Sequence, residues 1–192
     1  MNGTNDLMVT KIINASPSIV WRAWREPKHF VKWWAPAPVR TVSNRHEFHA
    51  GGAFDTTMHL PDGTVMEGGE GCFLEVVENE RIVFTDALQG GWRPNEIAFF
   101  TAIITLEEHP DGTRYTATAL HKNDEDRRKH EEMGFLNGWA TALNQLAELS
   151  ESMRRHRWST VCYQVTRRLL PMSTIEVASR TSAFALRQLN AA

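Results

Sequence analysis

The sequence of 192 residues predicts an α+β fold in which a curved antiparallel sheet of about seven strands surrounds a long C-terminal helix. Three observations carry this prediction. One strand is followed by two short helices, six β-rich segments joined by short turns come next, and a long amphipathic helix follows. Since such a helix must bury its apolar side on one face of the sheet, wrapping the sheet around it is the economical packing.

The first strand and the first helix are indicated by residue types near the N-terminus. The segment "MVTKIIN", residues 8–14, alternates apolar and polar side chains and predicts a strand. Ser16 can cap a helix and Pro17 suits the first helical position, so a helix is predicted to begin there. Pro27 begins a second short helix in the same way.

The second short helix carries two adjacent tryptophans. Phe30, Trp33 and Trp34 follow one another at spacings of three and one, and Pro36 and Pro38 end the element. Neighbouring side chains diverge by about 100° around a helix. We therefore expect Trp33 to anchor the helix in the core and Trp34 to face a cavity.

Residues 38–120 are predicted to form strands and turns. The Pro-Asp-Gly sequences at 61–63 and 110–112 favour hairpin turns, because proline presets φ and glycine allows a positive φ. The short connections favour an antiparallel meander. The six strands are predicted in "PVRTVSNRHEFH", "AFDTTMHL", "GCFLEVV", "RIVFTDAL", "IAFFTAIITLEE" and "RYTATAL".

A long helix is predicted from Asn123 to about Met153. Asn123 can cap it, and three acids in its first turn suit the helix dipole. Gly134 and Gly138 lie inside this predicted helix, where each costs about 1 kcal/mol relative to alanine. Two such glycines indicate either close approach by the sheet or room for a ligand.

The charge distribution divides the chain into a domain, 1–153, and a basic tail, 154–192, which we expect to be loosely ordered. Residues 1–151 hold 14 basic and 22 acidic residues, whereas residues 152–192 hold 7 arginines and one acid. The tail is too sparsely charged to indicate nucleic-acid binding. No signal peptide or membrane-spanning segment is predicted, and two cysteines fit a cytoplasmic protein with reduced thiols.

Five segments in order resemble a known family: "INASPSIVWRAW", "EPKHFVKWWAP", "EFHAGGAF", "GCFLEVVENERIVFTDA" and "MGFLNGWATALNQLAEL". Together they resemble the SRPBCC, or START-like, superfamily with its helix-grip fold, and within it the branch named for the activator of heat-shock protein 90 ATPase. The resemblance covers about residues 9–149. The family's Asp-x-Arg-x-Gly-Gly run is Glu47–Gly52 here, with His49 in place of the arginine.

The resemblance implies a cavity between the long helix and the concave sheet face, in which many relatives bind apolar ligands. The alternative is that each candidate lining residue is an ordinary core residue, as most buried aromatic side chains are. His121, between the last strand and the helix, is a candidate polar group at the cavity and otherwise a solvated turn residue. The candidate lining residues are Trp34, Phe54, Met58, Phe73, Phe84, Phe100, Trp139 and Leu143.

Catalytic and metal-binding signals are sparse. His46 and His49 would point to opposite faces of a strand, so no metal site is predicted, and no cofactor motif occurs. A carboxylate pair in the cavity would suit proton transfer, as in the polyketide cyclases and dehydratases of the superfamily. The acids available for such a pair are Glu67, Glu70, Glu75 and Asp86.

Three functions are therefore open. The favoured one is binding of a small hydrophobic or aromatic molecule without turnover. The second is an enzyme of the polyketide cyclase or dehydratase type that uses the same cavity. The third is a chaperone-associated interaction protein. A free sheet face or edge could also pair in a homodimer, while neither nucleic acid nor membrane insertion is expected.

Overall fold

The computed structural model describes residues 5–96 and 98–169, with side chains described as far as Arg155. Residues 170–192, which belong to the predicted basic tail, lie outside the described residues. The chain divides into one unit that ends at Ser152 and a second that begins at Met153. The cavity and side-chain contacts described below belong to the first unit.

Seven antiparallel strands form the main sheet, in the order β1-β9-β8-β5-β4-β3-β2. This α+β architecture, with a long C-terminal helix, is the predicted helix-grip fold. The strands are β1 (Asp6–Ile13), β2 (Arg40–His46), β3 (Ala53–His59), β4 (Val65–Val77), β5 (Arg81–Thr85), β6 (Leu88–Gln89), β7 (Arg93–Pro94), β8 (Thr101–His109) and β9 (Gly112–Leu120).

The six predicted strands after the first correspond to β2, β3, β4, β5, β8 and β9. The short β6–β7 hairpin was not predicted, because two-residue strands leave no alternation to detect. The pairing register shifts between Ser43 and Arg45, between Asp55 and Thr57, and between Phe73 and Glu75. Such bulges bend strands and increase their twist, which curves this half of the sheet.

Two short helices follow β1, as predicted: α1 (Pro17–Arg25) and α2 (Pro27–Phe30). The prediction that α2 carries the tryptophan pair is wrong, because the helix ends at Phe30 and Trp33 and Trp34 lie in the turn after it. Each has proline in its first turn. The predicted cap at Ser16 is wrong in one respect, because its hydroxyl contacts Ser18 Oγ at 3.0 Å and makes no capping bond. Buried side chains on α1 include Trp21 and Trp24, so packing rather than capping fixes this helix.

The predicted long helix is two helices, α3 (Asp124–Glu132) and α4 (Phe135–Leu169). Asn123 does cap α3, since its Oδ1 accepts a hydrogen bond from the Asp126 N–H at 2.8 Å. The break occurs at Gly134, whose φ of +90° is left-handed. The prediction that Gly134 lies inside a helix is therefore wrong. Helix α4 also extends beyond the expected end near Met153.

One side chain of α4, Gln145, connects this helix to the segment after α2. Its Nε2 donates to the carbonyl oxygens of Trp33, at 3.0 Å, and Ala35, at 2.8 Å. Its Oε1 accepts from the Ala37 N–H at 2.7 Å. Each such bond contributes about 1 kcal/mol net. Together the three bonds set the distance between α4 and the tryptophan pair.

Candidate functional site

A cavity of about 320 Å³ lies between the sheet, the α1–α2 region and the C-terminal helices. Every layer of the fold contributes residues to it, and most of its large side chains are aromatic. The lining residues are Trp24, Trp33, Trp34, Pro36, Phe54, Thr56, Met58, Gly68, Gly69, Glu70, Gly71, Phe84, Thr85, Asp86, Phe100, Ile104, Tyr115, His130, Gly138, Trp139 and Ala142.

Six of the eight candidate lining residues line this cavity, and two do not. Phe73 is fully buried behind other rings, with Phe48 and Phe54 both at 5.2 Å from it between centroids. Leu143 is buried on α4 but does not line the cavity. The lining residues of that helix are Gly138, Trp139 and Ala142. The six that line the cavity are Trp34, Phe54, Met58, Phe84, Phe100 and Trp139.

The two adjacent tryptophans both reach the cavity but have different surroundings. Trp33 is 3% exposed, and its Nε1–H donates to the Ala23 carbonyl oxygen at 3.0 Å. Trp34 is only half-buried, and its ring meets Phe54 edge-on at 5.1 Å and Phe84 at 5.8 Å. The Trp33 ring is therefore fixed to α1, while the Trp34 ring forms part of the aromatic surface over the strands.

Gly138 leaves space in the cavity on the α4 side. A Cβ atom at this position would meet nothing nearer than Pro36 Cγ at 4.0 Å. Of the two explanations for a glycine in this helix, close approach by the sheet is therefore wrong, and open space is observed instead. Trp139 and Ala142, which follow Gly138 on α4, also line the cavity.

Two carboxylates lie at the cavity. Asp86 Oδ1 accepts hydrogen bonds from the N–H groups of Phe99, at 2.9 Å, and Phe100, at 3.1 Å. Burial raises the pKa of Asp86, although these two bonds act in the opposite direction. Glu70 forms an ion pair with Arg45. Both acids therefore already have partners, so they are not a free pair for proton transfer.

The other candidate polar residues lie elsewhere. Glu67 is exposed, and Glu75 pairs with Arg81 at 2.6 Å on the surface. The His46 ring is joined through Nε2 to the Trp24 carbonyl oxygen at 2.8 Å. His49 is exposed. Within the described residues, no three His, Cys, Asp or Glu side chains are grouped as a metal ion would require.

Tyr115 on β9 is a buried residue of the cavity lining, and sequence reasoning did not single it out. Burial raises the pKa of Tyr115, so its hydroxyl stays protonated. Its position on a strand with alternating burial could have indicated it, because Thr113, Ala117 and Ala119 are buried on the same face.

His121 is buried rather than solvated, and it does not itself line the cavity as expected. Its Nδ1 lies 2.9 Å from the Asn5 carbonyl oxygen, and its Nε2 lies 2.9 Å from His130 Nδ1. His130 lines the cavity instead. Burial, reinforced by His121, lowers the pKa of His130 to about 4.

The curved sheet closed by a long helix, with an aromatic cavity between them, defines a START-like helix-grip protein. The chain belongs to the family of activator of Hsp90 ATPase homolog 1-like proteins, whose model matches residues 14–151. The suspected superfamily and branch are therefore confirmed. Family and fold together support a ligand-binding scaffold of the SRPBCC type.

Solved structures from several bacteria are similar to this chain. A Nitrosomonas europaea protein is 37% identical, with 81% of this chain and 99% of that chain covered and a TM-score of 0.76. A Mycobacterium smegmatis protein is 26% identical, with coverage of 76% and 90% and a TM-score of 0.65. An AHSA1-like protein from Aeromonas hydrophila, 20% identical over 77% and 93%, shares the fold at a TM-score of 0.60.

No curated protein matches the sequence significantly. Among residues 5–96 and 98–169, no helix combines the length and apolar character needed to cross a membrane.

Proposed function

We propose that this protein binds a small aromatic or hydrophobic molecule in the cavity between α4 and the sheet. The observation that carries the proposal is the lining itself, in which aromatic rings from α1, the α2 segment, three strands and α4 surround empty space. Ligand sites are typically concave and apolar with a few polar groups. In a filled core these rings would touch one another across this volume.

The size of the cavity limits the ligand. A volume of about 320 Å³ lies at the lower end of the range of roughly 300–1,000 Å³ for small-molecule sites. The rings of Trp34, Phe84 and Phe100 meet one another edge to face at the cavity. A flat aromatic molecule can extend such contacts, whereas a long flexible chain cannot. A molecule of one or two fused rings therefore suits the site.

Binding can be measured by calorimetric titration with 2-methoxynaphthalene, and the cavity can be tested by filling it. Ala142→Phe places a ring into the cavity from α4 and should weaken binding at least about tenfold, or roughly 1.4 kcal/mol. Ala140→Phe makes the same change on the exposed side of the helix and should alter affinity less than about twofold. Equal effects of both substitutions would contradict binding in this cavity.

Native mass spectrometry of the freshly purified protein gives a second measurement. A stoichiometric added mass that is lost on denaturation would support the proposal and supply the composition of the ligand. Asp86 and His130 are titratable groups at the cavity, so catalysis of the cyclase or dehydratase type is the second candidate function. It would appear as conversion of that compound during incubation. A recovered compound that stays unchanged would favour binding alone.

A further inference from the structure

The sheet topology brings the N-terminal strand to His121. β1 pairs with β9 from Asp6 opposite Leu120 onwards, so Asn5 lies beside His121 one step further along the ladder. The Asn5 carbonyl oxygen can only accept a hydrogen bond, so His121 Nδ1 must donate across the 2.9 Å that separates them. The histidine ring is thereby fixed in one tautomer.

That tautomer determines the state of the second ring. A neutral His121 that carries its proton on Nδ1 has a lone pair on Nε2, which must accept from His130 Nδ1 at 2.9 Å. His130 Nδ1 then carries the proton, and His130 Nε2 has a lone pair. We use the term histidine relay for the Asn5 carbonyl, His121 and His130 joined in this order.

The surroundings favour two neutral rings. His121 and His130 are 8% and 9% exposed. The His130 ring lies 5.2 Å from Phe99, 4.9 Å from Phe135 and 6.0 Å from Trp139. Among the described residues, the histidines that form ion pairs with acids are His29 and His109 rather than these two, and the Lys129 ammonium lies over the neighbouring Phe99 ring. Burial among rings without a counter-charge disfavours imidazolium.

His130 Nε2 is the free end of the relay. This nitrogen makes no hydrogen bond among the described residues. It differs from the fully buried, unpaired side-chain atoms of the protein in keeping some exposure. Since His130 belongs to the lining, the cavity is where this nitrogen can meet a ligand. Beside the two carboxylates described above, His130 Nε2 is a further acceptor in a largely aromatic lining, and it favours a ligand that can donate a hydrogen bond.

We propose that the histidine relay presents His130 Nε2 as a hydrogen-bond acceptor to the cavity, so that the preferred ligands are aromatic molecules bearing a hydroxyl group, such as phenols. The ligand class rests on the proposed function, whereas the assignment of the two histidine tautomers does not. It assigns a binding residue and a chemical class to the cavity, and it requires no change in the bound molecule.

The tautomers can be read directly on the unmodified protein. Long-range proton–nitrogen NMR at about pH 8, well above the unperturbed imidazole pKa, distinguishes the protonated ring nitrogen of each histidine. Both His121 and His130 should carry their proton on Nδ1. A proton on His130 Nε2, or two protons on either ring, would overturn the relay.

The ligand class is tested with two probes of nearly equal shape, 2-naphthol and 2-methoxynaphthalene, of which the first alone has a donor. The wild-type protein should bind 2-naphthol about tenfold more tightly. In His130→Phe the ratio of the two affinities should fall to about one, whatever the change in each affinity. Equal affinities in the wild type, or a preference that survives His130→Phe, would overturn the assignment.

The outcomes separate the two proposals. If neither probe binds the wild type, the proposed function fails and the ligand class fails with it, although the NMR result still decides the relay. If both probes bind equally, ligand binding stands and the donor requirement fails. Should His130→Phe not fold, the comparison of probes on the wild type and the NMR measurement remain decisive.

Discussion

At the scale of single residues, the tryptophan pair shows how neighbours in sequence take different tasks. Trp33 is almost fully buried and donates a hydrogen bond to the backbone of α1, whereas Trp34 keeps partial exposure and lies over Phe54 and Phe84. Removing a buried indole eliminates both its packing contacts and its hydrogen bond, so it lowers the stability of the protein strongly.

The two alanine substitutions should therefore separate stability from binding. Trp33→Ala should lower the free energy of unfolding by about 3–5 kcal/mol, and Trp34→Ala by about 1–3 kcal/mol. Trp34→Ala should in addition weaken binding of 2-methoxynaphthalene, because it removes part of the aromatic surface. Urea unfolding monitored by circular dichroism, with the titration in parallel, measures both. Equal stability losses with unchanged binding by the Trp34 variant would refute this division.

His130 could not be found from sequence for a definite reason. It lies in α3, "DEDRRKHEE", whose eight other residues are all charged and indicate a solvated helix. Its burial depends on Phe99, Phe135 and Trp139, which come from a loop and from α4. The strand residues Phe54 and Met58 were predictable, by contrast, because alternation alone places them on one face.

At the scale of elements, patterns that repeat were predictable and single breaks were not. Alternation and Pro-Asp-Gly turns predicted the six strands after β1, because both signals are local. The apolar stripe of the C-terminal helix continues through Met133 and Leu136, so it concealed the break at Gly134. In the structure both of these side chains are exposed, at 69% and 54%, which shows that the stripe there does not mark a buried face.

The two glycines next to this break should respond oppositely to alanine. Gly138 is helical and has open space around it, so Gly138→Ala should raise the free energy of unfolding by about 0.5–1 kcal/mol. Gly134 has a φ of +90°, so Gly134→Ala should lower it by about 1–2 kcal/mol. Chemical denaturation of the two variants beside the wild type measures both. Stabilisation by Gly134→Ala would show that the helix break is not a fixed feature, and destabilisation by Gly138→Ala would contradict the open space around that position.

At the scale of the whole molecule, function depends on contacts that only the complete topology makes. The first strand pairs with the last, and this pairing places Asn5 beside His121, more than a hundred residues away. Gln145 similarly holds α4 to the segment of the tryptophan pair. The sequence predicted a cavity through its family resemblance, but the polar end of that cavity arises from long-range pairing that no local pattern encodes.

Global stability should therefore carry a pH dependence that originates in the histidine relay. The pKa of His130 is about 4 in the folded protein, against 6.5 for an unperturbed imidazole, because the ring is buried beside His121. The unfolded chain thus binds more protons between these values, and the stability that the neutral ring provides above about pH 6.5 is lost as the pH falls towards 4. The loss should approach about 3 kcal/mol.

His29 and His46 also have pKa values lowered by burial, so the contribution of His130 must be isolated by difference. The free energies of unfolding of the wild type and of His130→Phe, measured by urea denaturation across this range, should differ by an amount that changes with pH in favour of the wild type at higher pH. A difference that is constant with pH would mean that His130 titrates alike in the folded and unfolded chains. In that case the burial of its ring would not be what keeps it neutral at the cavity.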